Sequence, residues 1–267
     1  MIVGSTFPYI EYYPKPGQAR GVQIDIDPFR IGLRYPVEAG LVADSSVALQ
    51  KLLPLLKRNE NRSFLEQAQS GMNEWRQTME ERGTKQDKPM KPQVVAYELG
   101  KRLSDTAIVS ADSGTNTTWW ARHIPVKRGQ MHSVSGTLAS MACGLPYAML
   151  PKGAAAIAYP NRQSIAFVGD GGFSMLMAFV TCAKYQLPVK VVIVKNGTLG
   201  QIKWEQMMHL GNPEFGCELQ SIDFAAFARA CGGTGFTIDD PANCGAILDS
   251  ALATPGPVVV EAVVDPL

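Results

Sequence analysis

The stretch Ser164-Ile165-Ala166-Phe167-Val168-Gly169-Asp170-Gly171-Gly172-Phe173-Ser174 decides the fold class of this chain. An apolar run closed by glycine reads as a strand buried on both faces, and the glycines after it read as a strand-to-helix turn. Backbone N–H groups at such a turn approach an anion closely, and a helix N-terminus adds favourable partial charge, so the pattern predicts a phosphate there. A carboxylate among those glycines would repel a phosphate. A divalent cation between Asp170 and a diphosphate removes that conflict. The turn has neither the G-x-G-x-x-G spacing of a dinucleotide fold nor the Lys-Ser/Thr of a P-loop, and taken alone it would also serve as a plain tight turn.

Downstream, the next apolar run covers 189–195 and ends in Lys195-Asn196-Gly197-Thr198. In a parallel sheet both strand ends open on one edge, so the Asp170 carboxylate, the Asn196 side-chain oxygen and a carbonyl near Thr198 can converge. An all-oxygen set suits Mg²⁺ or Ca²⁺ better than zinc.

Helix and strand alternate from residue 93 onward. Helices are expected over 93–103, 140–158 with interruptions, 173–185, 222–230 and 242–253, and strands over 107–110, 164–168, 189–195 and 258–264. That order predicts an α/β fold in which a parallel sheet carries helices on both faces and ligands sit at the carboxyl ends of its strands. Residues 58–92, polar at first, then helical with few large apolar groups, then rich in Lys and Pro, read as a linker. Before it, residues 1–57 hold a strand entering at Ile2-Val3, a second over 21–27, a third over 40–44, and a helix capped by Ser45 or Ser46. The front of this partial α/β domain is missing, so the chain reads as the later part of something longer.

The 267 residues carry 25 Lys+Arg against 24 Asp+Glu, a formal charge of +1, which denies the chain the basic field that nucleic-acid or anionic-membrane binding needs. Five cysteines, an odd number without a C-x-x-C pair, suggest neither a disulfide framework nor a zinc site, and a reducing cytoplasm fits them. No run of 18 apolar residues and no signal-peptide pattern at the start is present, so no integral membrane segment is expected.

Gly169-Asp170-Gly171 followed by the strand-terminal Asn196 resembles the thiamine-diphosphate signature of the pyruvate oxidase, quinone-linked pyruvate dehydrogenase and acetolactate synthase group. The likeness extends over nearly the whole chain. Ile24-Asp25-Ile26-Asp27-Pro28 and Ala43-Asp44 resemble the end of that family's middle domain, and Tyr159-Pro160-Asn161-Arg162-Gln163 and Gln186-Leu187-Pro188-Val189 resemble segments of its diphosphate-binding domain, here 93–267.

The resemblance implies that Asp170, Asn196 and the Thr198 carbonyl hold Mg²⁺. It implies that Gly169, Gly171 and Gly172 face the diphosphate, and that Gly114 and Thr115, in Asp112-Ser113-Gly114-Thr115, form the other phosphate-side loop. Met141 matches the apolar residue over which the cofactor bends. Glu205 resembles an active-site acid of the oxidase branch, with Ile202 lining the same pocket, although a solvated helix Glu reads the same way. Asp25, Ile26, Asp44 and Ser45 sit where FAD-using relatives contact the adenosine half of FAD. His123, His132 and His209 match no catalytic position.

The implied reaction is decarboxylation of a 2-oxo acid, pyruvate foremost, with electrons passing to FAD or a quinone. Carboligation, as in acetolactate synthase, is the alternative, and a non-catalytic subunit or fragment of a split enzyme is a third. The family's pyrimidine-binding domain, with its cofactor-activating Glu, has no counterpart here. The chain alone is therefore expected to be inactive and to need that domain, from an upstream part or another subunit, within a homo-oligomer. Two local departures stand out: Met149-Leu150-Pro151-Lys152-Gly153 inserts a proline into the helix after Met141, and the helix over 173–185 is one residue short.

Overall fold

The computed structural model of the chain describes residues 1–136, 138–150, 159, 161–175 and 177–266. The chain divides into two compact units, Met1–Ala68 and Gln69–Leu267. The division falls inside the 58–92 stretch, within a long helix rather than an extended tether.

In the first unit, β1 (Ile2–Val3), β2 (Val22–Asp25) and β3 (Ala39–Val42) form a parallel sheet in the order β1-β2-β3. Asp25 pairs in register with Val42, so the residues after β2 and β3 leave from the same sheet edge. The helix α1 (Ser45–Leu52) is capped by Asp44, not by Ser45 or Ser46: the Asp44 carboxylate accepts from the Val47 N–H at 3.1 Å and satisfies a donor that a helix start leaves open. Leu53-Pro54-Leu55 continues it as a short 3₁₀ turn, because proline stops the α-helical ladder. The helix α2 (Ser63–Gly83) spans the end of this unit and the start of the next.

The second unit is built on a six-stranded, wholly parallel sheet in the order β5-β4-β6-β7-β9-β8. The strands are β4 (Ile108–Ala111), β5 (Met131–Val134), β6 (Ser164–Gly169), β7 (Val189–Lys195), β8 (Thr234–Ile238) and β9 (Val258–Val263). Along β6 the side chains alternate between two cores, as the two-residue period of a strand requires. Ile165 and Phe167 join Val109, Val192, Val194 and Val260 under α3 (Pro92–Arg102), α4 (Thr115–His123) and α10 (Pro241–Ala253). Ala166 and Val168 join Val191, Ile193 and Val259 on the opposite face under α5 (Gly144–Met149), α6 (Asp170–Ser174), α7 (Ala178–Lys184) and α9 (Phe224–Ala230). Helices therefore cover both faces, as the sequence predicts.

The structure departs from the expected string in three ways. The helix expected over 173–185 is two, α6 ending at Ser174 and α7 beginning at Ala178, and Phe173 is buried against Phe224 edge-on at 5.3 Å. Burying that ring contributes about 1.5–3 kcal/mol and pins the turn before it to the core. The helix expected over 140–158 is present as α5, while residues 151–158, including the inserted Pro151-Lys152-Gly153, lie outside the described residues. The helices α4 and α8 (Gly200–Met208) and the edge strands β5 and β8 are additions.

Candidate functional site

The strand order places the site. The chain runs outward from β4 to β5 and then returns to lay β6 on the other side of β4, so the connections diverge between β4 and β6 and leave a crevice at their carboxyl ends. The turn Gly169 to Gly172 leaves β6 at that crevice, Asp112 to Thr115 leaves β4, and Asn196 to Thr198 leaves β7 beside them. The three loops line one cavity of about 230 Å³, whose walls include Gly114, Thr115, Met141, Gly169, Asp170, Gly171, Gly172, Asn196, Thr198 and Ile202. Every residue expected at thiamine diphosphate or its metal lies on it, from four separate stretches of chain.

Asp170, in the cavity wall, is buried. Its Oδ2 accepts from the Gly197 N–H at 2.8 Å and its Oδ1 from the Gly171 N–H at 3.1 Å, so the β7 loop is hung on the β6 turn. Burial pushes its pKa above the ordinary carboxylate value. The Gly197 and Gly171 amides and the nearby Lys195 charge oppose that rise without cancelling it. The helix behind it, α6, is five residues long, so its contribution to an anion rests on individual N–H groups rather than on a long dipole. Asn196 Oδ1 accepts from the Thr198 N–H at 3.3 Å, and the Thr198 carbonyl accepts from the Gly200 N–H at 2.9 Å. Each carbonyl oxygen keeps a second lone pair.

Two glycines keep the walls thin. A Cβ on Gly171 would stand 3.0 Å from Leu199 and 3.3 Å from both Leu219 and Met141, and one on Gly172 would lie 2.0 Å from Asp112 Oδ2. Gly114, at φ 135°, adopts a backbone closed to other residues and starts α4.

Ile202 reaches the cavity, whereas Glu205, one turn further along α8, is exposed and accepts from Gln201 Nε2 at 3.1 Å. Gln201 itself lines the cavity. A larger pocket of about 550 Å³ adjoins the site, sharing Thr115, Val194, Asn196, Gly200 and Gln201, and its remaining walls join Trp119, Trp204 and Met207 to Arg122, Lys203 and Asp265, without the glycine turn. The smaller cavity holds the glycine turn together with the Asp170 carboxylate. Among the described residues no cluster of three His, Cys, Asp or Glu could hold a metal. A cation at Asp170 would have one carboxylate, with amide and carbonyl oxygens completing its shell.

In the first unit, Asp25 and Ile26 leave β2 beside Asp44 and Ser45 after β3. Asp25 is buried with one oxygen accepting from the Asp27 N–H and the other unpartnered among the described residues, and Ile26 is exposed.

The sequence profile of the C-terminal TPP binding domain of thiamine pyrophosphate enzymes matches residues 112–262. The chain belongs to that family. It is 41% identical over 265 residues to the "Putative thiamine pyrophosphate-containing protein YdaP" of Bacillus subtilis (strain 168), a match covering 99% of this chain and 45% of that protein. A pyruvate oxidase of Lactiplantibacillus plantarum is 29% identical over 99% of this chain and 44% of its own length. An acetolactate synthase large subunit of Pyropia yezoensis is 31% identical over 91% of this chain and 41% of its own. The chain thus spans less than half the length of these relatives of the thiamine pyrophosphate family. No helix among the described residues is long and apolar enough to cross a membrane.

Sequence reasoning missed Asn116, Leu199, Gly200 and Gln201 as cavity-lining residues, and placed Asp112 in the phosphate-side loop without a role. Asn116 is buried, donates through Nδ2 to the Asp112 and Phe167 carbonyls at 3.0 and 3.2 Å, and lines the cavity. Its signal was position: a polar residue in the first turn after a strand that ends at a topological crevice.

Proposed function

We propose that this chain is the diphosphate- and metal-binding half of a thiamine-diphosphate-dependent enzyme that decarboxylates a 2-oxo acid, pyruvate foremost, in the manner of pyruvate oxidase. The observation that carries the reading is the single cavity joining Asp170, Asn196, Thr198, Gly171, Gly172, Gly114, Thr115 and Met141. The residues fit the cofactor: Gly171 and Gly172 let the β6 turn pack on Asp112, Leu199 and Met141 more closely than a side chain would allow, and burial disfavours the ionised form of Asp170, a cost that a bound cation would offset.

When bound, thiamine diphosphate supplies the carbanion-stabilising chemistry that lets a 2-oxo acid lose CO₂. This chain's residues hold and shield it. Asp170, Asn196 Oδ1 and the Thr198 carbonyl would ligate Mg²⁺, Gly169 to Gly172 and Gly114-Thr115 would hold the diphosphate, and Met141 and Ile202 would keep water from the reacting end. Glu205, on the solvent side of Ile202, is proposed to face the substrate through the Gln201 side chain that it contacts. The amino-terminal partner is a pyrimidine-binding domain, supplied upstream or by another subunit of a cytoplasmic homo-oligomer, and the chain alone catalyses little. Residues 1–57 would end a middle domain, 58–92 would link it, and Asp25, Ile26, Asp44 and Ser45 form a candidate FAD edge. The similarity to acetolactate synthase large subunits supports carboligation as the second reading.

Calorimetric titration with thiamine diphosphate and Mg²⁺ tests binding. No heat at millimolar cofactor, with no change on Asp170→Ala, removes the basis of the reading and leaves a chain that does not bind the cofactor. Pyruvate supplied to the complete assembly separates the chemistries: acetolactate without reduction of an electron acceptor refutes the oxidase reading.

A further inference from the structure

Asp112 directly follows β4 and is fully buried. Its Oδ1 accepts from the Gly144 N–H at 2.7 Å, and the amides of Ala142 and Cys143 and the Cys143 thiol also face the carboxylate. Ser110 Oγ, on the same strand, donates to the Gly144 carbonyl at 2.7 Å, so β4 grips Gly144 from both sides of its backbone. Asp112 Oδ2 has no hydrogen-bond partner among the described residues. It lies against Gly172, where an added Cβ would come within 2.0 Å of it and 3.5 Å of the Ala142 nitrogen. One buried carboxylate is thus wedged between the β6 turn and the loop that carries Met141.

That loop needs a wedge. Ala139 and Ala142, neither of them glycine, stand at φ 49° and 65°, a left-handed backbone that persists in such residues only where the surroundings impose it. The acceptor that meets the amides following Met141 is Asp112. Gly144 approaches so closely that a Cβ there would lie 2.8 Å from Val168 and 3.2 Å from Asp112 Oδ1, which ties the start of α5 to the same point. Met141 in turn stands 3.3 Å from where a Cβ on Gly171 would be.

We propose that Asp112 is a positioning residue, whose carboxylate fastens the 139–144 loop to the glycine turn and so sets how far Met141 projects into the cavity. This rests on reading the cavity as the thiamine diphosphate site. An isosteric amide fastens the loop less well: Asn keeps the acceptor that meets the Gly144 N–H but puts an N–H donor beside the Ala142 and Cys143 amides, which also donate. The diphosphate end of the cavity, built by Asp170, Asn196 and the glycines, does not depend on the loop. Asp112 should therefore govern affinity for the whole cofactor but not for its diphosphate tail.

The experiment compares the wild-type chain with Asp112→Asn, using hydrogen exchange of the Cys143 and Gly144 amides without ligand, and calorimetry with two probes, thiamine diphosphate and inorganic diphosphate, each with Mg²⁺. The expected result is slow exchange at both amides in the wild type, at least tenfold faster exchange in Asp112→Asn, thiamine diphosphate bound about tenfold more weakly, and inorganic diphosphate bound within threefold of the wild type. Met141→Ala should weaken thiamine diphosphate binding in the wild type and add nothing in the Asp112→Asn background. Unprotected Cys143 and Gly144 amides in the wild type overturn the proposal even if Asp112→Asn fails to fold. Wild-type affinity of folded Asp112→Asn for both probes, or equal loss of both, overturns it while leaving the cofactor reading intact. A wild-type chain that takes up neither probe overturns the cofactor reading and the proposal with it.

Discussion

His123 ties the stability of the site-bearing unit to pH, and the effect can be worked out from its surroundings. It ends α4, is 3% exposed, and has Nδ1 buried without a partner among the described residues. Burial first, then the Arg122 and Arg82 charges, push its pKa from 6.5 down to about 4, against a backbone hydrogen bond at Met79 that favours the charged ring. A base whose folded pKa lies below its unfolded one stabilises the fold fully above pH 6.5, and that stabilisation is lost as pH falls toward 4. The gap corresponds to about 3 kcal/mol in full, of which about 2 kcal/mol is gone by about pH 5. In a unit of this size that is a fall in Tm of roughly 4–8 °C. Thermal unfolding of the wild-type chain and His123→Leu at about pH 7 and pH 5 isolates the term, because every other titrating group is common to both. The wild type should lose roughly 4–8 °C more than the variant over that interval. Equal losses would refute the assignment of acid sensitivity to this imidazole.

Asp170→Ala should abolish Mg²⁺-dependent uptake of thiamine diphosphate in calorimetry while leaving a folded chain. Burial holds the Asp170 pKa above its ordinary value, so the protonated form's advantage is complete below pH 3.8 and lost as pH rises through the folded value. Mg²⁺ takes the ionised form, so the rise in Tm that Mg²⁺ produces should shrink as pH is lowered toward that window, and Asp170→Asn should flatten the trend. Gly172→Ala drives a methyl against Asp112 and the backbone at Ala142, and should cost about 1–3 kcal/mol in denaturant unfolding, more than Gly171→Ala, whose neighbours are movable side-chain ends. Buried Glu261 accepts from Lys195 Nζ and Thr237 Oγ1 at 3.0 Å and from the Phe224 N–H at 3.1 Å, anchoring the end of β7 that leads into Asn196. Glu261→Ala leaves the Lys195 charge without that partner, and should lower stability by about 3 kcal/mol, read as a lower Tm.

The strand and glycine turn from Ser164 to Ser174 were legible because their cause is local: an apolar run too short for a helix, closed by glycines that let the chain turn from strand into helix. The run over 189–195 was legible for the same reason, and so was the convergence of Asp170 with Asn196, since adjacent parallel strands must end on one edge. The helix α4 was not. Its Thr115-Asn116-Thr117-Thr118-Trp119-Trp120 start is β-branched and aromatic, poor in intrinsic helix formers, and it forms because Gly114 turns the chain and Trp119 and Trp120 pack on the core under α3. The strands β5 and β8 are short edges of the sheet, four and five residues long with partly exposed faces, and carry too little alternation to announce themselves.

By itself, then, the sequence determined the chemistry of each loop: which residues can accept a cation, which lack a side chain, which end a strand. Only the tertiary structure decided that Asp112 lies buried beneath Gly172, that Ile202 reaches the cavity while Glu205 stays outside, and that the crevice opens between β4 and β6. The physical reason is range. Turns and strand ends follow from steric and hydrogen-bonding rules acting over a few residues, whereas burial and strand order arise from packing between segments more than fifty residues apart, such as Ala111 and Phe167, and no local pattern encodes which of those segments will meet.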